Sequence, residues 1–318
     1  MRRLAFLLCS LLFAAVVHAQ DFPSRPIRII VPFAAGGLLD VVAQVVGEGF
    51  REKLGQPGVL DHRVGAAGNI GAEAAYRAAP DGYTVFLSPP GPIALNKMLY
   101  EHLNYDSDRF EPISILIATP AVLVTYPGVP AKTPAELIAH AKANPGKLNY
   151  ASPGAGSTPH LATELFQSMT GVELVQVLYK GTAPATTDLV AGRVQLAFAQ
   201  FSTVLPYIRS GQLRLIAVAS EKRSPLFPDV PALNESLPGF FSANFFGLVA
   251  PPGTPAEIVN KLSVVAADAI QQPEIAKKLS ALTSQPVGNT PAEARVFLEK
   301  EKERWGAVIR KANIRIHR

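Results

Sequence analysis

One unit occurs twice in this chain. From Ile27 the sequence reads IRIIVPFAAGGLLDVVAQVVGEGF: a short apolar run, a turn over Pro32–Gly37, and then apolar residues at helical spacing. From Leu148 it reads LNYASPGAGSTPHLATELFQSMTG, which repeats the order strand, glycine turn, helix and closes on Gly171. Each unit opens an alternating series. In the first, a strand at Ile27–Val31, a helix at Leu38–Leu54 stopped by Gly55, a strand at Val59–Arg63, a helix at Gly71–Ala79 and a strand at Tyr83–Leu87 are expected. In the second, a strand at Val175–Tyr179, a helix at Ala183–Ala191, a strand at Val194–Phe198, a short helix at Leu205–Ser210 and a strand at Leu213–Ala219 follow the glycine turn. Short connections between alternating strands and helices favour a mainly parallel sheet covered by helices. The β-rich stretch Ile113–Tyr126, interrupted at Thr119-Pro120, reads as the crossover from one series to the other. After Phe246–Ala250, the tail carries helices near Pro255–Gln271, Pro273–Leu282 and Pro291–Ala312. The fold class is therefore α/β, and two lobes are expected, taken as residues 20–120 with 232–318 and residues 121–231, each boundary to within about ten residues.

The first nineteen residues fix the expected compartment. Arg2 and Arg3 precede the apolar run Leu4–Val17, and Val17-His18-Ala19 offers small residues for cleavage. This is the pattern of a secretory signal peptide removed near Ala19, so the protein is expected in the periplasm. No other apolar run approaches the roughly 18–20 residues that span a bilayer. Removal takes the single cysteine, Cys9, and lowers the net charge from +5 to +3. A mature chain without cysteine has no disulfide and no thiol chemistry, and rests on its own core. Its basic residues are dispersed rather than clustered with aromatics, which argues against nucleic acid. The histidines show neither HxH nor HExxH spacing, so neither a metal nor another cofactor is expected.

In an α/β sheet, ligands sit beyond the carboxyl ends of the strands. Two glycine turns there, facing each other from two lobes, would form one cleft. Helix starts at Ala67–Gly71 and Lys180–Pro184 would join them, giving four N-termini whose backbone N–H groups favour an anion. Candidate residues are Phe33, Ala35, Gly36, Gly37 and Asp40 around the first turn, with Asn69 and Ser88 at neighbouring strand ends and helix starts. Gly156, Ser157, Thr158 and His160 come from the second turn, and Tyr179, Lys180, Thr182, Ala183 and Gln200 from the segments after it. Asp40 would repel a bound anion and is expected to hold a water or a backbone group instead. The anion is not expected to be a nucleotide: PFAAGGLLD has no lysine after its glycines, and GAGSTP fails GxGxxG at its last position. Ser157 and His160 also permit a serine hydrolase, although no GxSxG elbow is present. His160 can equally satisfy a local backbone group.

Several motifs together resemble the Bug family of extracytoplasmic solute receptors. They are PSRPIRIIVPFAAGGLLD (Pro23–Asp40), RVGAAGNIGAEA (Arg63–Ala74), PDGYT (Pro80–Thr84), PAKTPAELIAHAKANPGKLNYASPGAGSTPHLA (Pro130–Ala162), YKGTAPA (Tyr179–Ala185) and FGLVAPPGTPAE (Phe246–Glu257). The resemblance implies a type II periplasmic binding-protein fold that closes on a small carboxylate. It also implies a partner, the membrane permease of a tripartite tricarboxylate transporter, and a receptor that is monomeric and not an enzyme. The turn matching Phe33–Asp40 would hold the carboxylate through backbone groups and waters, with further contacts from Gly156–His160 and Tyr179–Ala183. Where many relatives carry an acidic residue, this chain reads Phe198-Ala199-Gln200. That departure favours carboxylates without an amine, with Gln200 free to bond a hydroxyl or carbonyl. A receptor of the same fold serving a sensor kinase would look the same in sequence.

Overall fold

A computed structural model describes residues 22–154, 156–179 and 181–316. The expected signal peptide and Lys180 lie outside the described residues. The strands are β1 (Ile27–Val31), β2 (Gly58–His62), β3 (Thr84–Ser88), β4 (Glu111–Thr125), β5 (Leu148–Ser152), β6 (Leu174–Leu178), β7 (Leu196–Gln200), β8 (Arg214–Val218), β9 (Ala243–Ala250) and β10 (Gln285–Pro286). The helices are α1 (Leu38–Leu54), α2 (Asn69–Tyr76), α3 (Asn96–Leu99), α4 (Pro134–Ala143), α5 (Thr158–Thr170), α6 (Thr182–Val190), α7 (Phe201–Arg209), α8 (Leu233–Ser236), α9 (Ala256–Gln271), α10 (Pro273–Ala281) and α11 (Pro291–Lys311).

The strands run in the order β2-β1-β3-β9-β4-β7-β5-β6, with β8 and β10 also on β4. Pairing is parallel within each repeated unit, β1 with β2 and β3, and β5 with β6 and β7. Strands β4 and β9 run antiparallel to their neighbours. The sheet is therefore mixed rather than mainly parallel, because the chain passes between lobes on extended strands instead of crossover helices.

β4 runs straight through Thr119-Pro120 and changes partners there. Along one edge it pairs with β9 as far as Pro120 and then with β8 from Val122. Along the other it pairs with β10 at Ile117 and Ala118 and then with β7 from Ala121. Proline has no N–H for the ladder, so Pro120 suits the point where one pairing ends. The next N–H, from Ala121, goes to the Ser242 carbonyl at 2.9 Å.

Each lobe is a sheet with helices on both faces. Alternate residues of β1 enter opposite cores: Ile27, Ile29 and Val31 meet α1 and α9, whereas Ile30 meets α2 and α11. In β7, Leu196 and Phe198 face α4 and α5, and Ala197 and Ala199 face α6 and α7. Burial on both faces is why these strands read as unbroken apolar runs. The tail helices α9 and α11 return to the first lobe. Leu233 and Phe240, just before β9, pack instead in the second. Phe240 is fully buried, stacked on Phe198 at 5.6 Å and edge-on to Phe166 at 6.4 Å. Phe240→Ala is expected to cost about 3–5 kcal/mol, because rigid neighbouring rings cannot fill the hole. Urea unfolding monitored by circular dichroism reads this directly, and a loss under about 1 kcal/mol would mean the site collapses.

Candidate ligand-binding cleft

A cleft of about 520 Å³ opens where the strand ends of the two lobes meet. Its floor is the β4–β9 pair, through Thr119 and its direct partner Asn244. One wall carries Phe33, Gly37, Leu38 and Leu39, which lead β1 into α1. The opposite wall carries Gly156, Ser157 and Thr158 before α5, Thr182 at the start of α6, and Gln200 and Ser202 at the start of α7. Among the described residues, no Lys, Arg, His, Asp or Glu side chain lines it.

The polar character of the cleft comes from helix starts. The first N–H groups of any α-helix lack intrahelical partners. At α1, α6 and α7 the N-cap residues are Gly37, Gly181 and Gln200, and none makes a side-chain capping bond. By contrast α4 and α11, which begin away from the cleft, are capped by Thr133 and Thr290. Helices α9 and α10 also start without such a bond, so a missing cap alone marks nothing. What distinguishes the cleft is three of these starts, with α5, converging on one space. A helix N-terminus stabilises a nearby anion by about 0.3–1 kcal/mol where exposed, as at Gly37 and Thr182, and by up to about 2 kcal/mol where partly buried.

Of the four helix starts expected from the sequence, α1, α5 and α6 reach the cleft. α2 contributes only Ala67, because a turn of 3₁₀ helix at Ala66–Gly68 intervenes. The fourth start is α7, which begins at Phe201 and not at Leu205. Its first turn, Phe201-Ser-Thr-Val, holds two β-branched residues and no strong helix former, which hides the helix from propensity. Burial of Phe201 and Val204 in the second lobe decides it.

Phe33, Gly37, Gly156, Ser157, Thr158, Thr182 and Gln200 are thus brought together as expected. Other candidates stand behind the wall. Asp40, in the first turn of α1, accepts the Gly36 N–H through Oδ2, and its Oδ1 is 2.8 Å from His62 Nε2. The carboxylate thereby holds a backbone group, as expected of it, and removes the Gly36 donor from the cleft. His160 plays the matching part at α5: its Nδ1 accepts the Gly156 N–H at 3.0 Å. Ser157 Oγ donates to the Gly154 carbonyl at 2.7 Å and caps the His160 N–H at 3.4 Å. The serine and the imidazole are thus each committed to backbone, and the hydrogen bond that a nucleophile needs from its base is not made.

Tyr179 turns its hydroxyl to Asp188 at 2.9 Å, an acid also held by Arg193, and so faces α6 rather than the cleft. Asn69 is buried against Asn96 and Tyr105. Ser88 is buried and donates to the Pro89 carbonyl. Ala35 and Ala183 are exposed outside the lining. Sequence reasoning missed Thr119, Asn244, Asn96, Ser202, Tyr100 and Ile316. Asn244 alone left a signal, as a polar residue inside the apolar tail strand.

Gly156 needs its glycine twice. Its φ is +70°, and an added Cβ would lie 2.8 Å from Leu99 Cδ1 of the other lobe. Burial holds the His160 imidazole below its ordinary 6.5, opposed by Glu164 at 3.9 Å. A neutral ring accepts the Gly156 N–H through Nδ1, and a protonated one cannot. Because the folded value lies below the unfolded one, this contribution to stability is whole above about 6.5 and is lost as pH falls through the folded value. His160→Ala is expected to cost about 1 kcal/mol at neutral pH and to flatten that acid-side loss, as read by thermal unfolding across pH.

Comparison with known proteins agrees with this architecture. The family model described as tripartite tricarboxylate transporter family receptor matches residues 42–314. BugT of Bordetella pertussis is 38% identical over 306 residues, 95% of this chain and 94% of that protein. The structure of R. palustris Rpa4515 with adipate is 35% identical with a TM-score of 0.78, over 93% of this chain and all of that one. MatC from Rhodopseudomonas palustris, with bound malate, is 32% identical with a TM-score of 0.73, over 91% of this chain and 100% of that one. By this match, and by two α/β lobes meeting at a cleft of strand ends and helix starts, the chain belongs to the tripartite tricarboxylate transporter receptor family, together with the Bug proteins.

Proposed function

We propose that this protein is a periplasmic, monomeric receptor that closes its lobes on a small carboxylate without an amine. It hands the ligand to the membrane permease of a tripartite tricarboxylate transporter and changes no bond in it. The observation that carries this reading is a cleft ringed by helix N-termini with no charged side chain among its described lining residues. Such a site offers positive potential but no carboxylate to meet an ammonium. The relatives solved with adipate and with malate support the class of ligand.

In this reading the backbone at Gly37 and the groups at Ser157, Thr158, Thr182 and Gln200 contact the ligand, and Phe33 covers its carbon chain. Asp40 and His160 set the two turns. The lobes divide at Pro120 and again close to Ala243, with residues 121–241 as the second lobe, because Leu233 and Phe240 belong to its core.

A thermal-shift screen of the mature, ligand-stripped protein against carboxylates and amino acids tests the function. A carboxylate at 100 times its dissociation constant is expected to add about 2.7 kcal/mol. Gly37→Trp is expected to abolish the shift without lowering the melting temperature of the empty protein, since a Cβ there meets open space. No shift with any carboxylate, in protein shown to be folded and empty, rejects the reading. Ala199, buried beside Gln200 in the lining, supplies a second test. Ala199→Asp is expected to weaken a plain carboxylate at least tenfold through like-charge repulsion and to favour ligands bearing an ammonium. Calorimetric titration of both ligand types measures the exchange.

A further inference from the structure

The cleft ends at a wall made by two residues remote in sequence. Tyr100 and Ile316 line the cleft, and the same two residues line a separate cavity of about 340 Å³ behind them. The wall is built from backbone pairing. Ile316 donates its N–H to the Leu99 carbonyl at 2.9 Å and forms a parallel bridge with Tyr100. Ile314, two residues earlier, is buried in the core under α11 and anchors the segment. From the opposite lobe, the Gly156 turn comes to within packing distance of Leu99 and Ile316, so the wall also meets the anion-binding side of the cleft.

The chamber behind the wall is partly open to solvent and is lined by polar and apolar residues together. Asn69 borders it and is 7% exposed. Its Oδ1 accepts from Asn96 at 2.6 Å and from Tyr105 at 2.8 Å, while its Nδ2 has no hydrogen-bond partner. A buried amide donor without an acceptor is a costly arrangement. Glu73 and Glu101 also line the chamber, with His102 and Asn104. Glu73 is engaged by Arg77 and Asn104. Two acids there disfavour a second carboxylate and leave room for an uncharged oxygen.

We propose that Tyr100 and Ile316 set the length of carboxylate this receptor accepts, and that the chamber behind them takes the uncharged polar end of a longer chain once the wall is cut back. The inference rests on the carboxylate reading of the cleft. Ile316 is a specificity-determining residue: shortening it joins two cavities, whereas Gly37 or Thr182 would alter affinity for every ligand alike. A pocket that measures chain length discriminates roughly tenfold or more per methylene at its closed end.

The test is calorimetric titration of straight-chain carboxylates of rising length, ending in methyl, hydroxyl or carboxylate, against wild type, Ile316→Val and Ile316→Ala. Wild type and Ile316→Val are expected to share one length limit. Ile316→Ala is expected to shift it to longer chains, improving their affinity relative to short ones by about tenfold, and most for the hydroxyl-ended series. A merely structural role would weaken all lengths together in Ile316→Ala, and that result, or an unchanged length profile, overturns the proposal. A crystal structure of Ile316→Ala decides the matter without any ligand: one continuous chamber supports the wall, and two separate chambers overturn it. If wild type binds no carboxylate of any length, the functional reading fails, while the structure of the variant still settles the wall.

Discussion

β4 gives its first stretch to β9 and its last to β7 and β8, and the geometry of the cleft depends on this exchange. A β-strand cannot pair with two different partners along one edge at the same point. The change at Pro120 and Ala121 therefore places one α/β unit beyond the end of the other. Because β3 runs antiparallel to β9 and β7 antiparallel to β4, while β9 and β4 are antiparallel to each other, the carboxyl ends of both parallel sets open toward the crossing. Loops at those ends have one space to share. Thr119 and Asn244, paired on the two crossing strands, become its floor without any motif to announce them.

An anion held by a buried arginine would be held through a large desolvation cost balanced by a large attraction. In the function proposed here, this cleft uses dipoles and hydroxyls instead. Their separate contributions are small, and they are fixed before the ligand arrives, so little ordering is needed on binding. Two side chains fix them. Asp40 clamps the turn before α1 by taking the Gly36 N–H, and His160 clamps the turn before α5 by taking that of Gly156. The same solution, a side chain in the first turn reaching back to a glycine N–H, serves each lobe although one group is an acid and the other an imidazole. A receptor that must release its cargo is well served by such a balance.

Helix α5 ties this grip to the relation between the lobes. Its first turn lines the cleft, while Leu161 is buried in the core built around α11 and Leu165 packs against that core. Lys311, at the end of α11, also reaches Ser168 on α5 at 2.8 Å. This one helix therefore carries both an end that lines the cleft and a flank packed against the other lobe.

The alternation of strand, glycine turn and helix, read along the chain, determined two α/β units and the positions of β1, α1, β5 and α5 to within a residue or two. It did so because both-face burial and helix amphipathicity leave periodic marks that need no knowledge of partners. The turns at Phe33–Gly37 and Gly156–Thr158 were legible for the same reason. Only the tertiary structure decided which residues look into the cleft. Tyr179 sits beside a cleft turn in sequence and faces Asp188; Ile316 lies 216 positions from Tyr100 and pairs with it. Helix α7 starts four residues before its pattern allows, because the core holds Phe201 and Val204 more strongly than propensity disfavours them. Local sequence fixes local backbone, since those energies are local. The facing of a side chain is set by contacts between distant segments, and these exist only once the chain has folded.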